Sequence, residues 1–205
     1  DSEMTTGTYR PKNSDGRYRG QISMTRAFAA SSNVAAVRLY NQLGSEAVIR
    51  AARDLGIKSN LAKNDPSLAL GTSGVTLLEL TAAYAGVAGN RWPVSPVALK
   101  QEEPGFFESL LSPQRSFGSD VEDGLLELLQ ANVNQGTGSA ARLAIPAYGK
   151  TGTTQDSRDA LFIGFAGDLV VGVWIGNGDN TPLKNMTGGG LPARIWRDFM
   201  SQAVK

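Results

Sequence analysis

Ala160-Leu161-Phe162-Ile163-Gly164-Phe165 and Leu169-Val170-Val171-Gly172-Val173-Trp174-Ile175, with Gly167-Asp168 between them, form the stretch on which the reading of the fold turns. Both runs are rich in β-branched and aromatic residues, and each has the length of a strand rather than of a helix. Gly167-Asp168 favours a tight hairpin, because glycine adopts the positive φ such a turn needs. Gly164 and Gly172 allow the strands to bend or to be approached closely. Upstream, Tyr148 to Thr154 reads as a third strand. Downstream, Leu191, Ile195, Trp196, Phe199 and Met200 share one face of a helix over 191–202, with Pro192 suited to its first turn. We expect that helix to cross the sheet through Ile195, Trp196 and Phe199. Trp174 and Trp196 read as core packing rather than as a ligand platform.

The rest of the chain is helical. Residues 1–20 are polar and turn-rich, with Asp15-Gly16 a turn signal, and read as an extended loop. Ser23 is a plausible cap for a helix carrying Met24, Ala27 and Phe28. The small polar run Ser31-Ser32-Asn33 breaks it, and a second helical stretch ends near Gly44. Another covers 46–55, stopped by Gly56, and a further one covers 76–88. That last one is so apolar that burial on most sides is expected. Residues 93–118 hold four prolines and read as irregular or as a short hairpin. Leu125, Leu126, Leu128 and Leu129 mark an amphipathic helix from Val121 to Val133. Helices followed by at least three antiparallel strands and a closing helix make an α+β organisation in one domain.

The 205 residues include 20 Lys+Arg and 19 Asp+Glu, a formal charge of +1. No basic block exists, so no nucleic-acid partner is expected. A hydrophobic share of 41% against 19% charged residues allows a real core and argues against disorder. Cysteine and histidine are both absent. That excludes disulfides, a thiol nucleophile, a Cys/His zinc site and a Ser-His-Asp triad within the chain. No apolar run approaches the roughly 18 residues of a membrane-spanning helix, and no basic-then-apolar leader opens the sequence. The abrupt start at Asp1-Ser2-Glu3-Met4 suggests a piece of something longer.

Without histidine or cysteine, acyl chemistry here requires hydroxyls and lysine. Tyr148-Gly149-Lys150-Thr151-Gly152-Thr153-Thr154 supplies both just before the hairpin. On a strand, alternation sends Lys150 and Gly152 to one face and Thr151 and Thr153 to the other. Gly152 would let a ligand approach the backbone, and Lys150 would add positive potential for a carboxylate or oxyanion. Gly149-Lys150-Thr151 also ends like a phosphate-binding loop. That motif needs glycine where Ala144 stands and must open a helix, whereas this segment leads into a strand. Gly136-Thr137-Gly138-Ser139-Ala140-Ala141 is a weak dinucleotide-fingerprint lookalike that follows a helix, so a glycine-rich turn is the reading. Taken alone, Ser31-Ser32-Asn33 is a helix end and cap.

Together, Ser31-Ser32-Asn33 and Lys150-Thr151-Gly152 match the second and third elements of the Ser-x-x-Lys, Ser-x-Asn, Lys-Thr-Gly signature. Around them the chain closely resembles the transpeptidase domain of class A, bifunctional penicillin-binding proteins. Tyr9 to Gly20, Arg26 to Asn33, Leu68-Ala69-Leu70-Gly71, Leu78 to Ala85, Gly149 to Thr154, Arg158 to Asn177 and Thr187 to Arg197 carry the likeness over almost the whole length. The resemblance implies the penicillin-binding-protein and serine β-lactamase fold, here its C-terminal portion. Residues 1–205 would then form a partial transpeptidase domain lacking the upstream strands and the nucleophile helix.

One element departs from the pattern. The residues three places before each lysine are Tyr9, Leu55, Asn60, Val97, Ala147, Thr181 and Gln202, and none is serine. The resemblance therefore implies that the nucleophile lies on another segment or polypeptide, the N-terminal part of the same protein. It implies a D,D-transpeptidase that cross-links peptidoglycan stem peptides through an acyl-serine, is acylated by β-lactams and uses no cofactor or metal. It further implies a place on the extracytoplasmic face of the bacterial inner membrane, anchored elsewhere. Carried over by motif, Ser31 belongs to a proton relay at the leaving nitrogen, while Asn33 bonds the donor amide and the nucleophile's lysine. Lys150 supplies charge and holds Ser31, Thr151 and Thr153 receive the donor carboxylate, and the Thr153 N–H serves the oxyanion beside Gly152. The rival reading is an inactive scaffold or interaction module; intact Ser31-x-Asn33 and Lys150-Thr151-Gly152-Thr153 argue against it.

Overall fold

The computed structural model describes residues 1–98, 114–154 and 157–204. Among the described residues five α-helices come first: α1 (Met24–Ala29), α2 (Asn33–Leu43), α3 (Ser45–Asp54), α4 (Leu77–Ala88) and α5 (Ser119–Gln135). Strands β1 (Tyr148–Thr153), β2 (Asp159–Ala166) and β3 (Leu169–Gly176) follow, and α6 (Leu191–Ala203) closes the chain. The α+β expectation holds, strand for strand. Most of the expected irregular or hairpin segment between Pro93 and Gly118 lies outside the described residues. At its ends Trp92 and Arg115 exchange two backbone hydrogen bonds, of 3.0 and 2.7 Å.

The sheet has the order β1-β2-β3 and is antiparallel throughout, with Lys150 opposite Ile163 and Phe162 opposite Val173. Gly167 turns the hairpin with φ +54°. The central strand β2 is buried on both faces, which is why its residues are apolar in sequence rather than alternating. On one face Phe162 meets Trp196 edge-on, with ring centroids 5.2 Å apart. On the other, β3 approaches α4 so closely that a Cβ on Gly172 would stand 2.3 Å from the Thr81 hydroxyl.

The contact faces of two helices differ from the sequence expectation. α6 buries Pro192, Ala193, Trp196 and Met200, whereas Ile195 is 42% and Phe199 54% exposed. The face is centred one residue further round the helix, where small Ala193 leaves room for the Trp196 indole, whose Nε1 donates to the Gly164 carbonyl at 3.3 Å. Helix α4 is not buried on most sides: Ala82, Ala83 and Gly86 are buried, while Leu78 is 64% exposed. Thr81 and Leu77 make the close approach to Gly172 of β3, while Gly86 packs against Trp92. Trp174 is likewise no core residue; it is 46% exposed and its Nε1 donates to Asp159 at 2.8 Å.

The amino-terminal loop is held by one buried amide. Asn13 Nδ2 donates to Asp1 and to the Arg17 carbonyl, while its Oδ1 accepts from Ser32 Oγ and the Val34 N–H. The loop is thereby fastened to the start of α2.

Trp196→Ala should cost about 3–5 kcal/mol in denaturant unfolding of the whole protein, and Ile163→Val about 1 kcal/mol. A Trp196→Ala cost below that of Ile163→Val would contradict the packing face described for α6.

Candidate active site

The break between α1 and α2 is built by backbone bonding. The Ser31 N–H donates to the Phe28 carbonyl and the Ser32 N–H to the Ala27 carbonyl, the pair of bonds that ends a helix in a Schellman motif. That motif places its penultimate residue in the left-handed region, usually as glycine. Here it is Ser31, with φ +52°. A side chain in that region costs about 1–2 kcal/mol. Next in the chain, Ser32 caps α2, accepting from the Ala35 N–H at 3.1 Å. Asn33 opens α2, and its Nδ2 donates to the Lys12 carbonyl at 2.8 Å. The helix-end and cap reading of this tripeptide holds, and all three of its residues also line a cleft.

Across the cleft stands β1, whose outer edge pairs with no other strand of the described sheet. Lys150 Nζ donates to Ser31 Oγ and, at 3.1 Å, to the Thr151 carbonyl. It also lies 5.6 Å from the Phe28 ring centroid, within cation–π range. Burial pushes Lys150 down to about 8 from its ordinary 10.5, since the cation loses water. At neutral pH the lysine is still mostly charged. Lys150 begins no helix, so the phosphate-loop reading is excluded.

Lys150, Thr151, Gly152 and Thr153 all line one cleft of about 840 Å³ together with Phe28, Ser31 and Asn33. Strand alternation suggested two faces, but the site lies along a free edge. The long lysine curls round that edge and reaches the side on which Thr151 stands. Thr154 N–H donates to the Asp159 carbonyl on β2, so alternation turns the Thr153 N–H outward, to the cleft. Thr153 Oγ1 accepts from the Gly188 N–H at 3.0 Å and keeps its own proton free.

Gly152 has a packing reason besides the one expected. A Cβ there would meet Leu161 Cγ at 2.8 Å, and Gly188 stacks closely over its backbone. Packing requires this glycine, whatever binds beside it.

One hydroxyl of the cleft escaped the sequence reading. Thr137 lies in the glycine-rich turn after α5, and its Oγ1 is 3.0 Å from Ser31 Oγ and 2.6 Å from Thr151 Oγ1. Buried Asn132 donates to it at 2.9 Å. The flanking glycines are the available signal: a Cβ on Gly136 would collide with the Ala29 carbonyl at 2.2 Å.

The family description "Penicillin binding protein transpeptidase domain" matches residues 1–201. Penicillin-binding protein 1A of Aquifex aeolicus is 37% identical over 201 residues, covering 95% of this chain and 27% of that protein. The chain thus spans about a quarter of that relative's length. Among solved structures, PonA1 of Mycobacterium tuberculosis superposes with a TM-score of 0.82 at 23% identity, over 100% of this chain and 62% of that one. The imipenem acyl-enzyme of penicillin-binding protein A, also from M. tuberculosis, gives 0.72 at 23% identity, over 97% and 52%. At that identity the superpositions speak to the fold.

Ser31→Gly should be more stable than Ser31→Ala by about 1 kcal/mol, because only glycine is relaxed at this φ. Thermal unfolding of the two variants checks this; equal stability would mean that the left-handed residue carries no strain. Lys150 should also leave a pH signature. Between about 8 and 10.5 the unfolded chain keeps a proton that the folded chain has released. Stability relative to Lys150→Met should therefore rise with pH through that window. A flat difference in pH-dependent denaturation would show that the lysine is not desolvated.

Proposed function

Because the chain belongs to the penicillin-binding-protein transpeptidase family, we propose that it supplies the carboxylate-binding and leaving-group side of a D,D-transpeptidase site. The nucleophilic serine then stands on a Ser-x-x-Lys segment outside these 205 residues, in the N-terminal part of the same protein. The observation that carries this reading is the Lys150–Ser31 contact, which joins two motif elements 119 residues apart at the edge of β1. Each group has a task that fits its chemistry.

An extended stem peptide ending in D-Ala-D-Ala would lie along the free edge of β1 as an added strand. Its terminal carboxylate would take hydrogen bonds from Thr151 and Thr153 and the positive potential of Lys150. The Thr153 N–H would stabilise the oxyanion as the serine attacks the carbonyl. Ser31, held by Lys150, would belong to the proton relay around the departing D-alanine nitrogen, and Asn33 would orient the donor amide and the nucleophile's lysine. An amino group of a neighbouring stem would then take the acyl group and form the cross-link. β-Lactams would enter as donor mimics and acylate the serine; penicillin-binding protein A of M. tuberculosis forms an acyl-enzyme with imipenem. Such stems lie outside the cytoplasmic membrane, so the chain would work on the extracytoplasmic face. No described helix is long and apolar enough to cross a membrane, so an anchor would belong to another segment. The outer edge of β3, with exposed Leu169 and Trp174, and the exposed Ile195 and Phe199 of α6 offer a surface for upstream strands.

The whole protein should be labelled by a fluorescent penicillin, and this chain alone should not be. Peptide mapping should place the label on the Ser-x-x-Lys segment. Lys150→Ala should slow labelling by about 100-fold or more, and Thr153→Val should weaken it while leaving the backbone donor in place. The wild-type rate should fall as pH rises past about 8, where Lys150 loses its charge. Label on Ser31 would overturn the assignment of roles, and an unlabelled whole protein would favour an inactive scaffold.

A further inference from the structure

Thr137 belongs to no motif that pointed to the site, yet it touches two residues that do. Its hydroxyl carries one proton and two lone pairs. Asn132 Nδ2 fills one lone pair, donating at 2.9 Å. The amide's orientation is forced, because the same Nδ2 also faces the Ala29 carbonyl at 3.1 Å, which can only accept. Asn132 Oδ1 is left buried without a partner, against Gly138, a cost that holding the donor end in place explains. Thr137 then has one proton and one lone pair to share between Ser31, at 3.0 Å, and Thr151, at 2.6 Å.

Only two arrangements satisfy this count. In the first, Thr151 donates to Thr137 and Thr137 donates to Ser31; Ser31 also accepts from Lys150, so its own proton faces the cleft. In the second, every hydroxyl is turned round. Thr137 donates to Thr151 and accepts from Ser31, which leaves a Ser31 lone pair facing the cleft. A carboxylate taking the Thr151 proton permits only the second arrangement. We infer that Thr137 is a positioning residue that transmits carboxylate binding at Thr151 to the hydroxyl of Ser31. Each hydroxyl rotates and keeps its own proton, so the device transfers none. The inference rests on the reading of Thr151 as a carboxylate partner.

The test compares acylation of the whole protein by a fluorescent penicillin and by its methyl ester. Thr137 is exposed, so its replacements leave the core untouched. Thr137→Val should slow acylation by the free acid about 5- to 10-fold, the size of one ordinary hydrogen bond, and leave the ester rate unchanged. Thr137→Ser should restore the acid rate. In a Ser31→Ala background, the Thr137→Val effect should vanish. Equal slowing of acid and ester would assign Thr137 a merely structural role and overturn the inference, as would an unchanged acid rate. A wild-type protein labelled by neither compound would instead defeat the acyl-transfer reading itself, and the inference with it.

Discussion

The carbonyl of Ala29 accepts two hydrogen bonds, one from the Asn132 side chain at 3.1 Å and one from the Thr137 backbone N–H at 3.0 Å. A carbonyl has two lone pairs, and both are used by the far end of α5 and the turn after it. That double bond fixes α1 against α5, and α5 in turn packs against β1. The position of Ser31 relative to Lys150 therefore follows from a main-chain contact that contains neither. Gly136 is obligatory in this arrangement, since any Cβ would displace the carbonyl. The cleft inherits its geometry from backbone rather than from flexible side chains, and a hydroxyl network of short reach needs that.

The sheet meets a different demand. β2 is enclosed on both faces, by α6 through Trp196 and by α4, and this anchors β1 from one side only. The other side of β1 stays open. An edge strand is ordinarily an aggregation liability, and here the cleft, with Lys150 beside it, occupies that edge. One unpaired row of backbone groups, ordinarily a hazard, faces the cleft.

The strands, their order and the helix spans were legible because turn chemistry and apolar periodicity agreed with the packing. Gly167-Asp168 fixed the hairpin, and Ser23, Ser32 and Thr76 each cap the helix that follows them. Orientation was less legible. Ile195, Trp196, Phe199 and Met200 lie within one broad arc, and periodicity cannot tell which residue is its centre. Ala193, too small to weigh in such a pattern, decides it by the room it leaves. The alternation rule separated Lys150 from Thr151, since it follows Cβ directions and not the reach of a lysine. Thr137 stayed hidden because a threonine between two glycines looks like any turn; its position is set by Asn132 and Ala29, which no local pattern connects. The motif residues gathered as the resemblance implied, with Ser31 revealing a backbone conformation that its neighbours in sequence do not announce.

The separation of Ser31 from Lys150 along the chain has a kinetic consequence. The β1-β2-β3 hairpins are local and can form early, whereas the contact with α1 closes a loop of more than half the molecule. A folding intermediate holding only the sheet would carry Lys150 fully hydrated, with its ordinary affinity for a proton. The loss of water that weakens that affinity arrives with the docking of the helices. The lysine's chemistry is thus a marker of completed assembly, and a partly folded molecule presents a surface ammonium group with no hydroxyl beside it.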